Sequence, residues 1–263
     1  MTDVVLTEQR GHTLLVTINR PNAANSINAE VHQLLGAAWE TAQATDSVRA
    51  LVLTGAGSAI FCAGADLKAL GTLGPAGVTP ADTAHWGFAG VVRHPITKPI
   101  VCAVNGTALG GGTELALAGD LVVASDTSAF GLPEVRRGLI AGAGGVFRLT
   151  EAIPRAVAME LLVTGAPLSA NDALRWGLIN RVVPAADVVD TALALADTIA
   201  ECAPLAVQAT KIVARGIVDG AVPSEDTYWR LTEEALARLS TSTDTLEGIM
   251  AFMEKRAPIW SGK

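Results

Sequence analysis

The chain has 263 residues, of which 50% are hydrophobic, 4% aromatic and 17% charged, and its net charge is −7. This composition excludes a disordered chain, which requires low hydrophobicity, and the acidic balance argues against broad electrostatic binding to nucleic acid or to anionic membranes. The three cysteines lack CxxC spacing and the four histidines lack metal-like spacing, so neither a disulfide framework nor a metal site is predicted. The N-terminus lacks the apolar core of a signal peptide, and no apolar run approaches the roughly 18 residues of a membrane span, which predicts a soluble, cytoplasmic protein.

The first half of the chain alternates between predicted strands and helices. Residues 4–8 and 13–19 are β-rich runs separated by a turn and predict a hairpin. Asn28 is a candidate cap for a helix that runs to about Ala44. The apolar face of that helix is predicted to carry Val31, Leu34, Leu35, Ala38 and Ala42. Three nearly unbroken apolar runs predict strands buried on both faces and an α/β architecture; they lie at 48–55, 99–106 and 120–125.

The segment 71–80 is rich in glycine and proline and carries no charge. This composition is typical of a mobile loop that lines a pocket for an apolar ligand, and equally of a simple connector, so both interpretations stay open.

The chain from Pro154 onward is mostly helical by pattern. Pro154 suits a first helical position with Gly165 just past the helix end. Ser169 and Asp172 form a capping-box pattern before a short helix closed by Gly177, and a strand is predicted at 178–183. Four further helices have apolar faces on both sides, which predicts burial against another subunit; they are expected at 187–201, 204–216, 224–240 and 243–256.

Two glycine-containing turns follow predicted buried strands. The first reads FCAGADLK (61–68) and the second NGTALGGGTE (105–114). Small residues there let a ligand approach the backbone, so the N–H groups of Ala65 and Gly111 are candidates for an oxyanion hole. Taken alone, such turns more often serve tight packing. The glycines do not spell GxGxxG, and neither a Walker A nor a GxSxG pattern occurs, which excludes the common nucleotide-binding and serine-hydrolase motifs.

Two glutamates are candidates for acid–base chemistry. Glu114 comes directly after the second group of glycines, at a predicted helix start where the helix dipole favours a carboxylate. Glu134 follows 20 residues later, on a turn after Pro133, where most glutamates are simply solvated. If the fold returns both to one cleft, they form an acid–base pair around a bound water.

These segments together resemble a known family. FCAGADLK, NGTALGGGTELALAGDLVVAS and FGLPEVRRGLIAGAGGVFRL are similar to the crotonase superfamily, the enoyl-CoA hydratases and isomerases, and so is the C-terminal EGIMAFMEKR. The resemblance covers nearly the whole chain. It implies a crotonase (ClpP/crotonase-like) fold, a spiral of ββα units over residues 1–200 followed by a helical trimerisation region over 201–263. The assembly it implies is a homotrimer or a homohexamer.

The resemblance also assigns binding roles. Ala65 and Gly111 would hold the thioester oxygen of an acyl-CoA, and no cofactor is implied beyond the coenzyme A (CoA) of the substrate. Phe252 and Lys255, three residues apart on the predicted helix 243–256, would share a face and reach the CoA of a neighbouring subunit. The residues expected to contact substrate or CoA are Ala63, Ala65, Asp66, Lys68, Phe252 and Lys255.

The catalytic roles implied are those of a hydratase. Glu134 would deliver the proton to C2, Glu114 would orient and activate the water that attacks C3, and the Gly142 N–H would help to hold that water. The main hypothesis is therefore an enoyl-CoA hydratase. The alternatives are an enoyl-CoA isomerase or a specialised dehydratase, such as one acting on a carnitinyl thioester, and then a non-catalytic CoA-binding or RNA-associating protein.

Overall fold

The computed structural model describes residues 3–263. This part of the chain forms ten strands and ten α-helices, joined by several short 3₁₀ turns. The strands are β1 (Val5–Arg10), β2 (Thr13–Ile18), β3 (Ala50–Gly55), β4 (Ile60–Cys62), β5 (Ile100–Val104), β6 (Thr107–Leu109), β7 (Leu121–Ser125), β8 (Ala129–Gly131), β9 (Leu168–Ser169) and β10 (Arg181–Val183). The helices are α1 (Ala29–Ala44), α2 (Leu67–Leu73), α3 (Gly111–Ala118), α4 (Gly145–Ala152), α5 (Arg155–Thr164), α6 (Ala170–Trp176), α7 (Val188–Ala200), α8 (Pro204–Arg215), α9 (Asp226–Leu239) and α10 (Thr243–Met253).

From β3 to β8, consecutive strands alternate between two sheets. The larger sheet has the order β1-β2-β3-β5-β7-β10 and is parallel apart from the β1–β2 hairpin; the smaller sheet has the order β4-β6-β8-β9. The pairs β3–β4, β5–β6 and β7–β8 therefore each add one strand to each sheet before the chain enters a turn and a helix. This is the predicted spiral of ββα units, and the expectation of a crotonase fold is confirmed.

The larger sheet is buried on both faces, as its apolar runs predict. Leu51 and Leu53 of β3 pack with Leu35 and Trp39 of α1 on one face, because successive strand residues point to opposite sides. The other face, which includes Val52, packs against α7. At about 25 cal/mol per Å² of apolar surface, this two-sided burial is the main stabilising contribution to the fold.

Several local predictions need correction. The sequence does not predict the three-residue strands β4, β6 and β8, because so short a run shows no alternation of hydrophobic and polar residues. The segment 71–80 is partly helical, since α2 extends to Leu73 and a 3₁₀ turn follows at 74–77. Leu34 is 40% exposed because it lies at the edge of the buried stripe of α1, and Pro154 precedes the first residue of α5 instead of occupying it.

The last two helices return to the ββα core. The hydroxyl of Thr245 in α10 donates to the carbonyl of Gly138 at 2.6 Å, which ties α10 to the turn after β8. The start of α9 is fixed by Glu225, whose carboxylate accepts from Arg148 at 2.7 and 3.0 Å and from the Trp229 indole at 3.2 Å. α9 and α10 therefore contact the core of their own chain, whatever further contacts they make with other subunits.

Among the described residues, one bent pair of helices has the length and composition of a membrane span. Across residues 3–263, no single helix is long and apolar enough to cross a bilayer, and only Ala185–Ala200 with Pro204–Arg215, bent by 106°, passes by length and composition.

Candidate active site

The two glycine turns meet at one end of the smaller sheet. Strands β4 and β6 run parallel, so the turns after them lie side by side. Gly64 has φ +88°, and a Cβ there would lie 3.0 Å from the amide nitrogen of Gly111. Glycine is required at position 64 both for this left-handed conformation and for the close approach of the two backbones.

Local pairing leaves the Ala65 and Gly111 amides available to a ligand. Ile27 and Ala65 form a parallel β-bridge, in which Ile27 donates to the carbonyl of Gly64 at 2.9 Å and accepts from the amide of Asp66 at 2.8 Å, so the Ala65 amide is not used. Gly111 is the first residue of α3, where an amide has no acceptor inside the helix. Both residues line the same cavity.

That cavity has a volume of about 720 Å³ and contains most of the predicted site residues. It opens between the two glycine turns, the segment around residues 79–93, and helices α9 and α10. The predicted site residues that line it are Ala63, Ala65, Gly111, Glu114, Glu134, Gly142 and Phe252.

Glu114 projects from the first turn of α3 and is only 3% exposed. Its Oε1 accepts hydrogen bonds from the amides of Ala143 at 2.6 Å and Gly145 at 2.8 Å. A Cβ on Gly145 would lie 2.9 Å from that oxygen, so the glycine makes room for the contact. The loop that carries Gly142 is thereby attached to the carboxyl group of Glu114.

Glu134 reaches the cavity from the 3₁₀ turn Pro133–Arg137 after β8. A Cβ on Gly110, whose φ is +54°, would lie 2.8 Å from Glu134 Oε1. Glu134 Oε2 is buried and has no hydrogen-bond partner among residues 3–263. A buried carboxyl oxygen without a partner is available to a substrate or a water.

Burial raises the pKa of both carboxyl groups. Desolvation, and then the charge of Glu134, raises the pKa of Glu114 to about 8, although the amides of Gly145 and Ala143 act in the opposite direction. Desolvation also raises the pKa of Glu134, and the nearby Arg137 partly offsets this effect. A pair of interacting carboxyl groups that can share a proton near neutral pH is suited to acid–base catalysis.

The remaining residues of the first turn have different roles. Asp66 caps α2 by accepting from the amides of Lys68 at 3.0 Å and Ala69 at 3.2 Å, and it pairs with Arg20 at 2.8 Å. Its amide donates to Ile27. These contacts fix the shape of the turn beside Ala65. Lys68 is exposed on α2, outside the cavity lining.

The predicted pairing of Phe252 and Lys255 on one helix face is wrong. α10 ends at Met253, and Lys255 follows in a left-handed conformation with φ +55°. The sequence TDTLEGIMAFMEKR has no glycine or proline near its end to signal this stop. Phe252 lines the cavity of its own chain, whereas Lys255 lies outside the cavity lining.

Several cavity residues were not identified from the sequence. Trp229, Thr232, Glu233 and Leu236 of α9 line the cavity, and their spacing places them on one helix face. A Cβ on Gly142 would lie 2.9 Å from Leu236, so α9 closes the cavity beside the loop 139–144. The amphipathic pattern of α9 predicts a buried face but cannot show what that face covers.

Arg137 is a further cavity residue that the sequence did not reveal. It lines the cavity, with its guanidinium carbon 3.7 Å from the centroid of the Phe252 ring. As for metals, no group of three or more His, Cys, Asp or Glu residues is placed to hold an ion anywhere in the described range.

Known proteins match the chain over its full length. The enoyl-CoA hydratase/isomerase family profile covers residues 8–263. A carnitinyl-CoA dehydratase of Proteus mirabilis (strain HI4320) is 42% identical over 259 residues, 97% of either chain.

Solved structures show the same relationship. The structure of a carnitinyl-CoA hydratase from Mycobacterium avium is 53% identical, with 100% of both chains covered and a TM-score of 0.97. An enoyl-CoA hydratase from Mycobacterium tuberculosis H37Rv is 44% identical, with 99% of this chain and 100% of that one covered and a TM-score of 0.76. The chain therefore belongs to the enoyl-CoA hydratase/isomerase family, the crotonases, and is one of its hydro-lyases.

Proposed function

We propose that the chain catalyses the reversible removal and addition of water at C2–C3 of a CoA thioester. The observation that carries this proposal is the presence of two buried carboxyl groups, Glu114 and Glu134, in one cavity with the Ala65 and Gly111 amides. Isomerisation moves one proton and needs one carboxyl group. Removal of water requires both a base for the C2 proton and an acid for the leaving hydroxyl.

The two backbone amides would stabilise the negative charge on the thioester oxygen. This charge develops when the C2 proton is removed, and it is greatest near the transition state. A preorganised N–H donor aimed at such an oxygen contributes about 2.7–4 kcal/mol, or roughly 10²–10³ in rate. Because these donors are main-chain groups at Ala65 and Gly111, no side chain has to reorganise during the reaction.

The two carboxyl groups would exchange roles between the two directions. Glu114, the more buried, retains the proton of the pair, and Glu134 is the carboxylate. In dehydration, Glu134 takes the C2 proton and Glu114 protonates the hydroxyl that leaves C3 as water. In hydration, the shared proton starts on Glu134, which delivers it to C2, while Glu114, then the carboxylate, accepts a proton from the attacking water, held with the help of the Gly142 N–H. The pair holds one proton before and after each turnover.

The acyl group is proposed to be of the carnitinyl type. The names of the relatives favour this alternative over the main hypothesis of a general enoyl-CoA hydratase. The face of Trp229 and the carboxylate of Glu233 suit a quaternary ammonium group. Arg93 now occupies that position, 4.7 Å from the Trp229 ring centroid and 2.9 Å from Glu233, so the substrate cation would displace its guanidinium. An uncharged enoyl-CoA, which leaves Arg93 in place, is the second candidate.

Steady-state kinetics would distinguish the two substrates. We expect a higher kcat/KM for carnitinyl-CoA than for 3-hydroxybutyryl-CoA, and the reverse order would select the enoyl-CoA hydratase. Glu114→Gln and Glu134→Gln should each lower kcat by roughly 10²–10⁴ with little change in CoA affinity. Glu160→Gln, at an exposed position, is the matched control. Near-full hydratase activity in Glu114→Gln would refute the two-carboxyl mechanism and favour an isomerase.

The remaining assignments follow from the resemblance. Ala63, Asp66, Lys68, Phe252 and Lys255 are proposed to contact CoA, which enters only as part of the substrate. A cytoplasmic homotrimer or homohexamer is proposed as the working assembly, with residues 1–200 as its core and 201–263 as its helical region. Failure of the wild type to turn over any acyl-CoA while it still binds CoA would support a non-catalytic role instead.

A further inference from the structure

Arg137 is a part-buried cation in the active cavity that makes no side-chain hydrogen bond or ion pair within residues 3–263. Other cations with little exposure are paired: Arg20 with Asp66 at 2.8 Å, Arg148 with Glu225 at 2.7 Å and Lys211 with Asp120 at 2.6 Å. Arg137 therefore differs from them in having all five of its N–H donors available.

The position of Arg137 is held by its surroundings. Its guanidinium carbon lies 3.7 Å from the centroid of the Phe252 ring, so α10 restrains the side chain through a cation–π contact. The turn that carries Arg137 is closed by the Leu139 amide, which donates to the carbonyl of Glu134 at 3.0 Å. Two separate elements thus hold an arginine whose planar donor set remains unused.

Glu134 does not satisfy this arginine. The charge of Arg137 lowers the pKa of Glu134, but no ion pair within 4.0 Å joins them, and Glu134 Oε2 is without a partner in the described chain. The Arg137 side chain is part-buried in the cavity, and burial lowers the pKa of its guanidinium. A charged donor that faces a cavity without a protein acceptor is available to an acceptor on a ligand.

We propose that Arg137 binds an oxyanion of the thioester substrate. The guanidinium presents parallel N–H donors that match a phosphate or a carboxylate in bidentate geometry. This inference rests on the proposed CoA thioester, whose phosphates are one source of such a group. The other source is a carboxylate at the end of the acyl chain, which a carnitinyl group lacks and which would identify a dicarboxylic acyl group instead.

Four thioesters separate these two sources. Crotonyl-CoA carries phosphates, crotonyl-pantetheine carries no oxyanion, and glutaconyl-CoA and glutaconyl-pantetheine add an acyl carboxylate to each carrier. KM and kcat are measured for the wild type, Arg137→Gln and Arg137→Lys. The control is Arg136→Gln, which removes the same charge one residue away at an exposed side chain that lies outside the cavity lining.

Arg137→Gln should raise KM by about 10- to 100-fold for thioesters that carry the recognised oxyanion, the range expected for a hydrogen bond to a charged group. Arg137→Lys should recover part of this loss, because an ammonium keeps the charge but lacks the planar donor pair. A loss with both CoA thioesters and neither pantetheine thioester identifies a phosphate. A loss confined to the two glutaconyl thioesters identifies a carboxylate.

Two results would overturn the inference. One is an unchanged KM for all four thioesters in Arg137→Gln, and the other is an equal loss for crotonyl-pantetheine, which has no oxyanion to bind. Thermal unfolding of each variant verifies folding, and Arg137→Lys carries the test if Arg137→Gln does not fold. If the wild type neither binds CoA by calorimetry nor turns over any thioester, the proposed function fails instead.

Discussion

The burial of Glu114 makes the stability of the protein depend on pH. The pKa of Glu114 is raised from 4.5 to about 8, first by desolvation and then by the charge of Glu134. Between these two values the folded state keeps a proton that the unfolded state has lost, so stability falls as pH rises through the window. The slope is about 1.4 kcal/mol per pH unit, and the total is at most about 4–5 kcal/mol.

Glu114→Gln should remove this pH dependence. The glutamine oxygen can still accept from the Ala143 and Gly145 amides, which donate at 2.6 and 2.8 Å in the wild type. The variant should match the wild type below pH 4.5 and become progressively more stable than it up to about pH 8. Urea unfolding at pH 4.5, 6, 7 and 8.5, with Glu160→Gln as the exposed control, measures the difference. A difference that stays constant over this range would refute the reasoning.

Three further predictions concern the cavity. Gly110→Ala should lower kcat by roughly tenfold or more, because the added Cβ would lie 2.8 Å from Glu134 Oε1. Gly177→Ala is the control for backbone strain, because Gly177 also has a positive φ, +82°, and an added Cβ there would have no atom within 4 Å. Arg137→Gln should raise the pKa of Glu134, because the charge of Arg137 lowers that pKa. The acidic limb of the pH–rate profile should therefore move to higher pH, and a limb that does not move would contradict the electrostatic coupling of Arg137 to Glu134. Lys255→Ala should raise KM for acyl-CoA more than it lowers kcat, and the effect should weaken in high salt. If the variant and the wild type have the same KM and kcat at low salt, Lys255 does not belong to the CoA site.

Local signals in the sequence predict the fold well where one residue determines the geometry. Asn28 caps α1 by accepting from the Val31 amide at 3.0 Å, and Ser169 caps α6 by accepting from Asp172 at 3.2 Å. The apolar run at 48–55 predicts β3 with both faces buried. The two caps are visible because donor and acceptor lie three residues apart along the chain. The strand β3 is visible through its own unbroken apolar run, although its pairing partners β2 and β5 are distant in sequence.

The candidate site is only partly visible in the sequence. Glu114 and Glu134 could be identified as candidates by type and neighbours, but residue type alone does not show that they share a cavity. The contributions of Leu236 and Arg137 depend on how α9 and α10 pack on their own core, and an amphipathic pattern does not specify a packing partner. The helix end at Met253 was missed because Lys255 adopts a left-handed conformation that the sequence does not signal.

The central claim is that a pair of carboxyl groups adds water to C2–C3 of the thioester and removes it. Isotope incorporation tests this claim most directly. The enzyme is incubated with a 2-enoyl-CoA in D₂O containing H₂¹⁸O, and the products are analysed by mass spectrometry and NMR. The account predicts a 3-hydroxyacyl-CoA with ¹⁸O at C3 and one deuterium at C2, and loss of both labels together in Glu114→Gln. Deuterium incorporation into a shifted enoyl-CoA without ¹⁸O would contradict the account, because it would show proton transfer without addition of water.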